Sequence, residues 1–192
     1  DIITASAGTS NVRVGVNAGN SIASGGNYNV VVGDEAGTAI STGDNNVAVG
    51  YAALDANTTA SNNTAVGYAA LTANTTGTGN TAVGKETLFT CTTADALTAV
   101  GHNALNANTT GANNTAVGKS VLQATTTGAG NTAIGKDALA ANTTASNNVA
   151  VGLSALLVNT IGTENTAVGA NALDANTTGS YNTAIGRSAL AT

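Results

Sequence analysis

Apolar and polar positions alternate along a short segment, Asn-Thr-Ala-Val-Gly, that returns every seventeen residues along almost the whole chain. The glycine that closes the segment marks each repeat, and it stands at Gly15, Gly33, Gly50, Gly67, Gly84, Gly101, Gly118, Gly135, Gly152, Gly169 and Gly186. The first interval is eighteen residues and every later one is seventeen. A fixed period of this length is typical of a solenoid, in which each repeat forms one coil that stacks on the coil before it.

Each repeat follows the consensus Asn-Thr-Ala-Val-Gly-x-x-Ala-Leu-x-Ala-Asn-Thr-Thr-Gly-x-x. Strand alternation places Thr and Val on one face of the first segment and Ala on the other, and we expect Thr and Val to point into the coil. We expect the segment around Leu to be a second extended layer, because a helix there would be too short and would meet Asn-Thr-Thr, which favours turns. The prediction is therefore an all-β, single-chain β-solenoid with a thin core between two strand layers.

The predicted core ladder consists of the Val or Ile at the fourth position and the Leu at the ninth. Its members are Val49, Val66, Val83, Val100, Val117, Ile134, Val151, Val168, Ile185, Leu54, Leu71, Leu88, Leu105, Leu122, Leu139, Leu156 and Leu173. In the first two coils Gly19 and Gly37 replace Leu, and we expect Ile22 and Ile40 to supply the missing apolar volume. Residues 1–192 are predicted to form one domain of about eleven coils, with variant coils over 1–32 and regular repeats over 33–192. Because the pattern is cut off at both ends, we expect a piece of a longer polypeptide.

The alanine at the third position predicts contact with a neighbour. If Val points inward, this file of Ala residues lies outside, where a solvated face would tolerate almost any side chain. A face restricted to Ala suggests close approach by an identical chain, although repeats that have not yet diverged would give the same file. The candidate inter-subunit ladder is Ala48, Ala65, Ala82, Ala99, Ala116, Ala133, Ala150, Ala167 and Ala184.

Composition narrows the function classes. Charged residues make up 8% of the chain and the net charge is −5, with only five Lys and Arg residues and no basic run, which argues against nucleic-acid binding. No apolar stretch is long enough to cross a membrane, so no membrane insertion is expected. The single cysteine, Cys91, is predicted to be a surface or turn thiol without a role.

No residue set predicts catalysis. Two segments, 79–85 and 130–136, match the spacing of a phosphate-binding loop, but the loop must precede a helix and here the spacer is the predicted strand. The single histidine, His102, gives no metal cluster. We expect no catalytic residues, no cofactor, no metal and no enzyme activity. The position after the repeat glycine varies and forms a predicted exposed contact ridge for sugars or polyanions, comprising Tyr51, Tyr68, Lys85, His102, Lys119, Lys136 and Arg187.

The Asn-Thr-Ala-Val-Gly-x-x-Ala-Leu repeats over about residues 11–190 resemble the head repeats of YadA-type trimeric autotransporter adhesins, and resemble still more the repeats of bacteriophage tail fibres. This resemblance implies a left-handed parallel β-roll that assembles as a homotrimer. It also implies an extracellular location, on a cell surface or in a virion tail fibre, and a structural role in attachment to a receptor or glycan.

Two other functions remain open. A β-solenoid with threonine ladders could bind ice, although the paired Thr-Thr of the turns would make no flat plane. The coils could also be a passive spacer whose recognition domain lies elsewhere.

Overall fold

The computed structural model describes residues 7–191, which form a parallel β-solenoid with about seventeen residues per turn and no helix in that range. Eleven strands of three residues follow one another in chain order across a single sheet, so that ten turns separate the first strand from the last. The strands are β1 Val12–Val14, β2 Val30–Val32, β3 Val47–Val49, β4 Thr64–Val66, β5 Thr81–Val83, β6 Thr98–Val100, β7 Thr115–Val117, β8 Thr132–Ile134, β9 Val149–Val151, β10 Thr166–Val168 and β11 Thr183–Ile185.

Equivalent residues of successive repeats lie directly over one another. Val66 of β4 pairs with Val83 of β5, and the other strand pairs keep the same seventeen-residue register. The extra residue of the eighteen-residue first interval lies outside the strands, since Val12 of β1 still pairs with Val30 of β2. The predicted stacking of like side chains in files is therefore confirmed.

The predicted direction of the strand side chains is wrong. Ala65, at the centre of β4, is fully buried, whereas Thr64 and Val66 on either side of it are only half-buried. The Ala file therefore lies inside the coil, where it cannot contact another chain, and the Val/Ile file lies on the outer face of the sheet. The inner residues are Ala48, Ala65, Ala82, Ala99, Ala116, Ala133, Ala150, Ala167 and Ala184. The outer ones are Val49, Val66, Val83, Val100, Val117, Ile134, Val151, Val168 and Ile185.

The size of the opposing side chain explains this orientation. The interior already holds a leucine from the far side of each coil, and the narrow coil leaves room for only a methyl group from the strand. The second coil shows that the sizes of these two residues are linked, because Gly37 stands there in place of Leu and Val31 in place of Ala. A Cβ built on Gly37 would lie 2.7 Å from Val31 Cγ1 and 2.7 Å from Ile40 Cδ1. Ile22 and Ile40 are both buried, so they supply the missing volume as predicted.

The leucine half of the predicted core ladder is confirmed as buried. It comprises Leu54, Leu71, Leu88, Leu105, Leu122, Leu139, Leu156 and Leu173. The segment that carries these residues is not the predicted second strand layer, because no strand outside the single sheet occurs in the described range. It consists of turns in which Ala52 and Leu54 have φ of 50° and 55°.

Left-handed backbone at a leucine costs roughly 1–2 kcal/mol. Full burial of the same side chain stabilises the fold by about 1.5–3 kcal/mol. Since the leucine is buried in each regular coil, its burial offsets the unfavourable backbone. The tight turn is therefore maintained by the core and not by the intrinsic preference of the residue.

The repeat glycine allows the coils to approach closely at the end of each strand. Gly84 has φ of 134°, and a Cβ there would lie 2.7 Å from the carbonyl oxygen of Gly101 in the next coil. No side chain fits between two coils at this point. The glycine therefore sets the spacing between coils as well as the bend that follows the strand.

The inward direction of Ala can be tested by enlarging the inward residue of one strand and comparing the effect with that of a substitution at its outward neighbour. We expect Ala116→Val to destabilise the solenoid by about 1–3 kcal/mol, because the added carbons have no room beside Leu122. Thr115→Val should change stability by less than about 0.5 kcal/mol, because it faces outward and Val occupies the same file in other coils. Urea unfolding of both variants measures the difference, and equal midpoints would contradict the assignment.

Candidate functional site

Two regular surfaces and one buried polar network distinguish this solenoid. The first surface is the Thr/Val face, which we define as the outward side chains at the first and third positions of the eleven strands. Only Thr, Val and Ile occur at these positions, so the outer face of the whole sheet carries no charged side chain. The side chains are half-buried over most of the sheet and more open near its ends, where Val12 is 40% exposed and Ile185 is 72% exposed.

The second surface is the contact ridge, whose members are exposed as predicted. The rings of Tyr51 and Tyr68 stack with their centroids 5.4 Å apart and an angle of 18° between their planes. The ammonium group of Lys85 lies 5.6 Å from the centre of the Tyr68 ring. His102, Lys119 and Lys136 continue the same file in the next three coils. Arg187 stands apart from them, because Leu153 and Ala170 occupy the two intervening coils.

Two of the ridge lysines have acidic neighbours. Lys85 Nζ lies 3.5 Å from Glu86 Oε1, and Lys136 Nζ lies 3.1 Å from Asp137 Oδ2. These are the ion pairs of residues 7–191, so Lys119 has none there. The paired lysine side chains remain 55% and 58% exposed, and exposed pairs of this kind contribute little to stability. Their ammonium groups therefore stay accessible to a ligand.

The buried polar network, which was not predicted, consists of two files of asparagine. The first file stands just before the strands β2 to β10, except that Leu97 replaces asparagine before β6; its buried members are Asn29, Asn46, Asn63, Asn80, Asn114, Asn131, Asn148 and Asn165. In this file the backbone N–H of Asn46 donates to Asn29 Oδ1 at 2.9 Å, and Asn46 Nδ2 donates to the carbonyl oxygen of Ala60 at 3.0 Å. Each amide therefore links neighbouring coils from inside.

The second file stands three residues after the core leucines, and its buried asparagines are Asn57, Asn74, Asn108, Asn142 and Asn159. Cys91 and Thr125 replace asparagine after Leu88 and Leu122. Asn74 Nδ2 donates to Asn57 Oδ1 at 3.0 Å and to the carbonyl oxygen of Gly77 at 2.9 Å. We call the two files the Asn ladders. The signal that could have revealed them is that asparagine persists in these columns, whereas the column of the contact ridge varies from coil to coil.

Cys91 interrupts the second Asn ladder. Of the predicted surface or turn position of this thiol, the surface position is wrong. Its side chain is fully buried, and this desolvation raises the pKa of the thiol from an ordinary 9.0 to about 11. Asn74 Oδ1 in the preceding coil is buried without a hydrogen-bond partner. An asparagine at position 91 would supply the amide that Asn74 lacks.

The described residues offer little for chemistry. No group of three or more His, Cys, Asp or Glu side chains in residues 7–191 could hold a metal ion, and this range forms no pocket. The segments 79–85 and 130–136, which match the spacing of a phosphate-binding loop, run through β5 and β8. Within the same range no helix has the length and apolar character required to span a bilayer.

No protein-family model, curated protein or solved structure matches the chain. The resemblance to adhesin heads and tail fibres therefore stays a prediction from the repeat motif. A proposal about function therefore rests on the geometry of the Thr/Val face and the contact ridge.

Repair of the second Asn ladder provides a test of the buried network. We expect Cys91→Asn to stabilise the chain by about 1 kcal/mol, because the new amide can donate to Asn74 Oδ1 and to the carbonyl oxygen of Ala94. The backbone at position 91 makes the same hydrogen bond as the backbone at position 74. The N–H of Cys91 donates to the carbonyl oxygen of Leu88, and the N–H of Asn74 donates to that of Leu71. Urea or thermal unfolding measures the change.

Cys91→Ala is the matched control, because it removes the thiol without adding a donor. We expect this variant to be no more stable than the native chain. If Cys91→Asn were no more stable than Cys91→Ala, the ladder would contribute nothing at this position.

Proposed function

We propose that this chain is a rigid segment of a trimeric attachment fibre, built as a left-handed β-roll and displayed outside the cell or on a virion tail. The observation that carries the proposal is the Thr/Val face, which is uncharged and continuous over eleven strands. A face of this kind suits contact with identical chains better than lasting exposure to water. The number three and the left-handed winding come from the resemblance of the repeats to adhesin heads and tail fibres.

The dimensions of the face are compatible with self-association. Ten steps of about 4.8 Å make it about 48 Å long, and two outward columns with their side chains make it about 10 Å wide. The resulting area of roughly 500 Å² is comparable to the largest apolar patches of ordinary monomers, which are often functional. Flanking columns would bring each chain towards the roughly 800 Å² per partner that stable interfaces bury.

The thin core gives a second reason for assembly. The coils that carry Leu54 to Leu173 bury mainly this one Leu column and small Ala side chains, so a single solenoid hides little apolar surface for its length. Burying the Val/Ile file between chains would add apolar contact in every coil. A closed ring of chains around one axis achieves this without leaving an open contact surface.

Ice binding is a second candidate function, because the outward Thr and Val side chains of the strands favour it. The strand residues place Thr and Val on one outward face, with Thr115 and Val117 as a typical pair. Regularly spaced hydroxyl and methyl groups on a rigid sheet could order water. This role needs the Thr/Val face to be free, whereas the fibre needs it to be covered.

The fibre proposal predicts a native mass of three times the chain mass of 18.3 kDa. We expect Val100→Lys to give monomers, because it places a charge at the middle of the Thr/Val face. Thr110→Lys carries the same change on an exposed turn and should leave the trimer intact. Native mass spectrometry or analytical ultracentrifugation distinguishes these states. A native chain that stays monomeric at micromolar concentration would rule out the trimer.

Ice binding predicts a gap between the melting and freezing temperatures of a solution of the protein. We expect no such gap beyond that of a similar-sized control protein, because association would cover the Thr/Val face. Nanolitre osmometry measures the gap. Thermal hysteresis that is lost in Val100→Lys and kept in Thr110→Lys would instead favour ice binding on this face.

A further inference from the structure

The lysines of this chain are not distributed like its acidic residues. The chain has five Lys and Arg residues, and all three lysines, Arg187 and the single histidine fall in the one file that forms the contact ridge. The acidic residues are spread over several files. A ridge that served only solubility would have no reason to collect the cationic side chains of an acidic protein in one line.

The central part of this file is one continuous surface. Lys85, His102, Lys119 and Lys136 occupy four successive coils and are all exposed. Three steps of about 4.8 Å separate the first from the last, so the cationic stretch is about 14 Å long and runs parallel to the solenoid axis. Tyr51 and Tyr68 extend the same line by two coils.

We propose that this ridge binds an acidic polysaccharide whose chain lies along the solenoid axis. This inference deepens the proposed attachment role, on which it rests, by naming the chemistry of the surface that the fibre attaches to. The lysine ammonium groups bind the carboxylates or sulfates that recur along the polymer. The tyrosine hydroxyls and ring edges contact its sugar hydroxyls. The contact is long and shallow, which agrees with the lack of a pocket in residues 7–191.

The arrangement of the tyrosines favours a polysaccharide over a nucleic acid. Single-stranded nucleic acids bind by stacking bases on free aromatic faces. Here Tyr51 covers one face of the Tyr68 ring, and the ammonium group of Lys85 lies over the same ring. The edge and the hydroxyl of the Tyr68 ring are left for a ligand.

Charge should dominate the affinity. Lysine binds anions as a point charge without the bidentate geometry of arginine, so the ridge should accept carboxylates and sulfates alike. Contacts at exposed lysines are screened by salt over about 10 Å at 0.1 M ionic strength. Binding should therefore weaken steeply as salt is added. Several ridges carried by one assembly would strengthen it through multivalency.

The test measures binding of the full chain to immobilised alginate, dextran sulfate and uncharged dextran by surface plasmon resonance. We expect binding to alginate and to dextran sulfate, and none to dextran. The variant Lys85→Gln/Lys119→Gln/Lys136→Gln should bind both anionic polymers at least about tenfold more weakly, because three charge contacts are lost. Lys119→Gln alone should weaken binding about twofold to fivefold.

The matched control is Thr59→Glu/Thr110→Glu/Thr144→Glu, which lowers the net charge by the same three units on an exposed file of the turns. We expect this control to keep most of the affinity. Equal loss in both triple variants would show that net charge alone governs binding and would overturn the ridge. Equal binding to dextran, or tighter binding to an immobilised oligothymidylate than to alginate, would overturn it as well.

The native mass of the same samples separates the two proposals. Trimers that bind neither anionic polymer overturn the ridge and leave the fibre proposal standing. Monomers that bind alginate through the lysines support the ridge and overturn the trimeric fibre.

Discussion

Hydrogen bonding between successive coils is the constraint on which the rest of this solenoid depends. The backbone N–H of Gly67 donates to Val49, and that of Gly84 donates to Val66, so each coil obtains partners from the coils beside it. A coil of seventeen residues cannot satisfy these groups internally, and leaving them unpaired in the interior would cost about 1–3 kcal/mol each. The near-constant period of the sequence follows from this register, because an extra residue must be accommodated outside the strands, as it is between β1 and β2.

The Asn ladders extend the same constraint to side chains. Asparagine carries both an amide donor and a carbonyl acceptor, so a file of identical residues can bond from coil to coil without a second residue type. Asn131 donates to Asn114, and Asn148 donates to Asn131. Buried polar groups thus replace part of the apolar core that this small-residue chain lacks. They also fix the register more strongly than methyl groups could, since apolar contact is not directional.

The period made the stacking, the Leu file and the exposure of the contact ridge predictable. Strand alternation made two faces predictable, but it does not say which face is inside. Both Ala and Val are apolar, and the larger residue was assigned to the core by hydrophobicity alone. The second coil offered a clue to the inward face, because the larger strand residue Val31 appears in the coil where Gly37 replaces Leu. The turns around Leu54 could not be predicted, because left-handed backbone is rare for leucine and only the finished core stabilises it.

The bonds between coils point along the axis of the rod, and this has a mechanical consequence. A pull on the two ends would load successive coils in series, so the solenoid would yield one turn at a time and not by shearing as a whole. Each released turn of seventeen residues would lengthen the chain from about 5 Å to roughly 55–60 Å. In the proposed fibre, such a segment would stay stiff under small loads and lengthen under large ones.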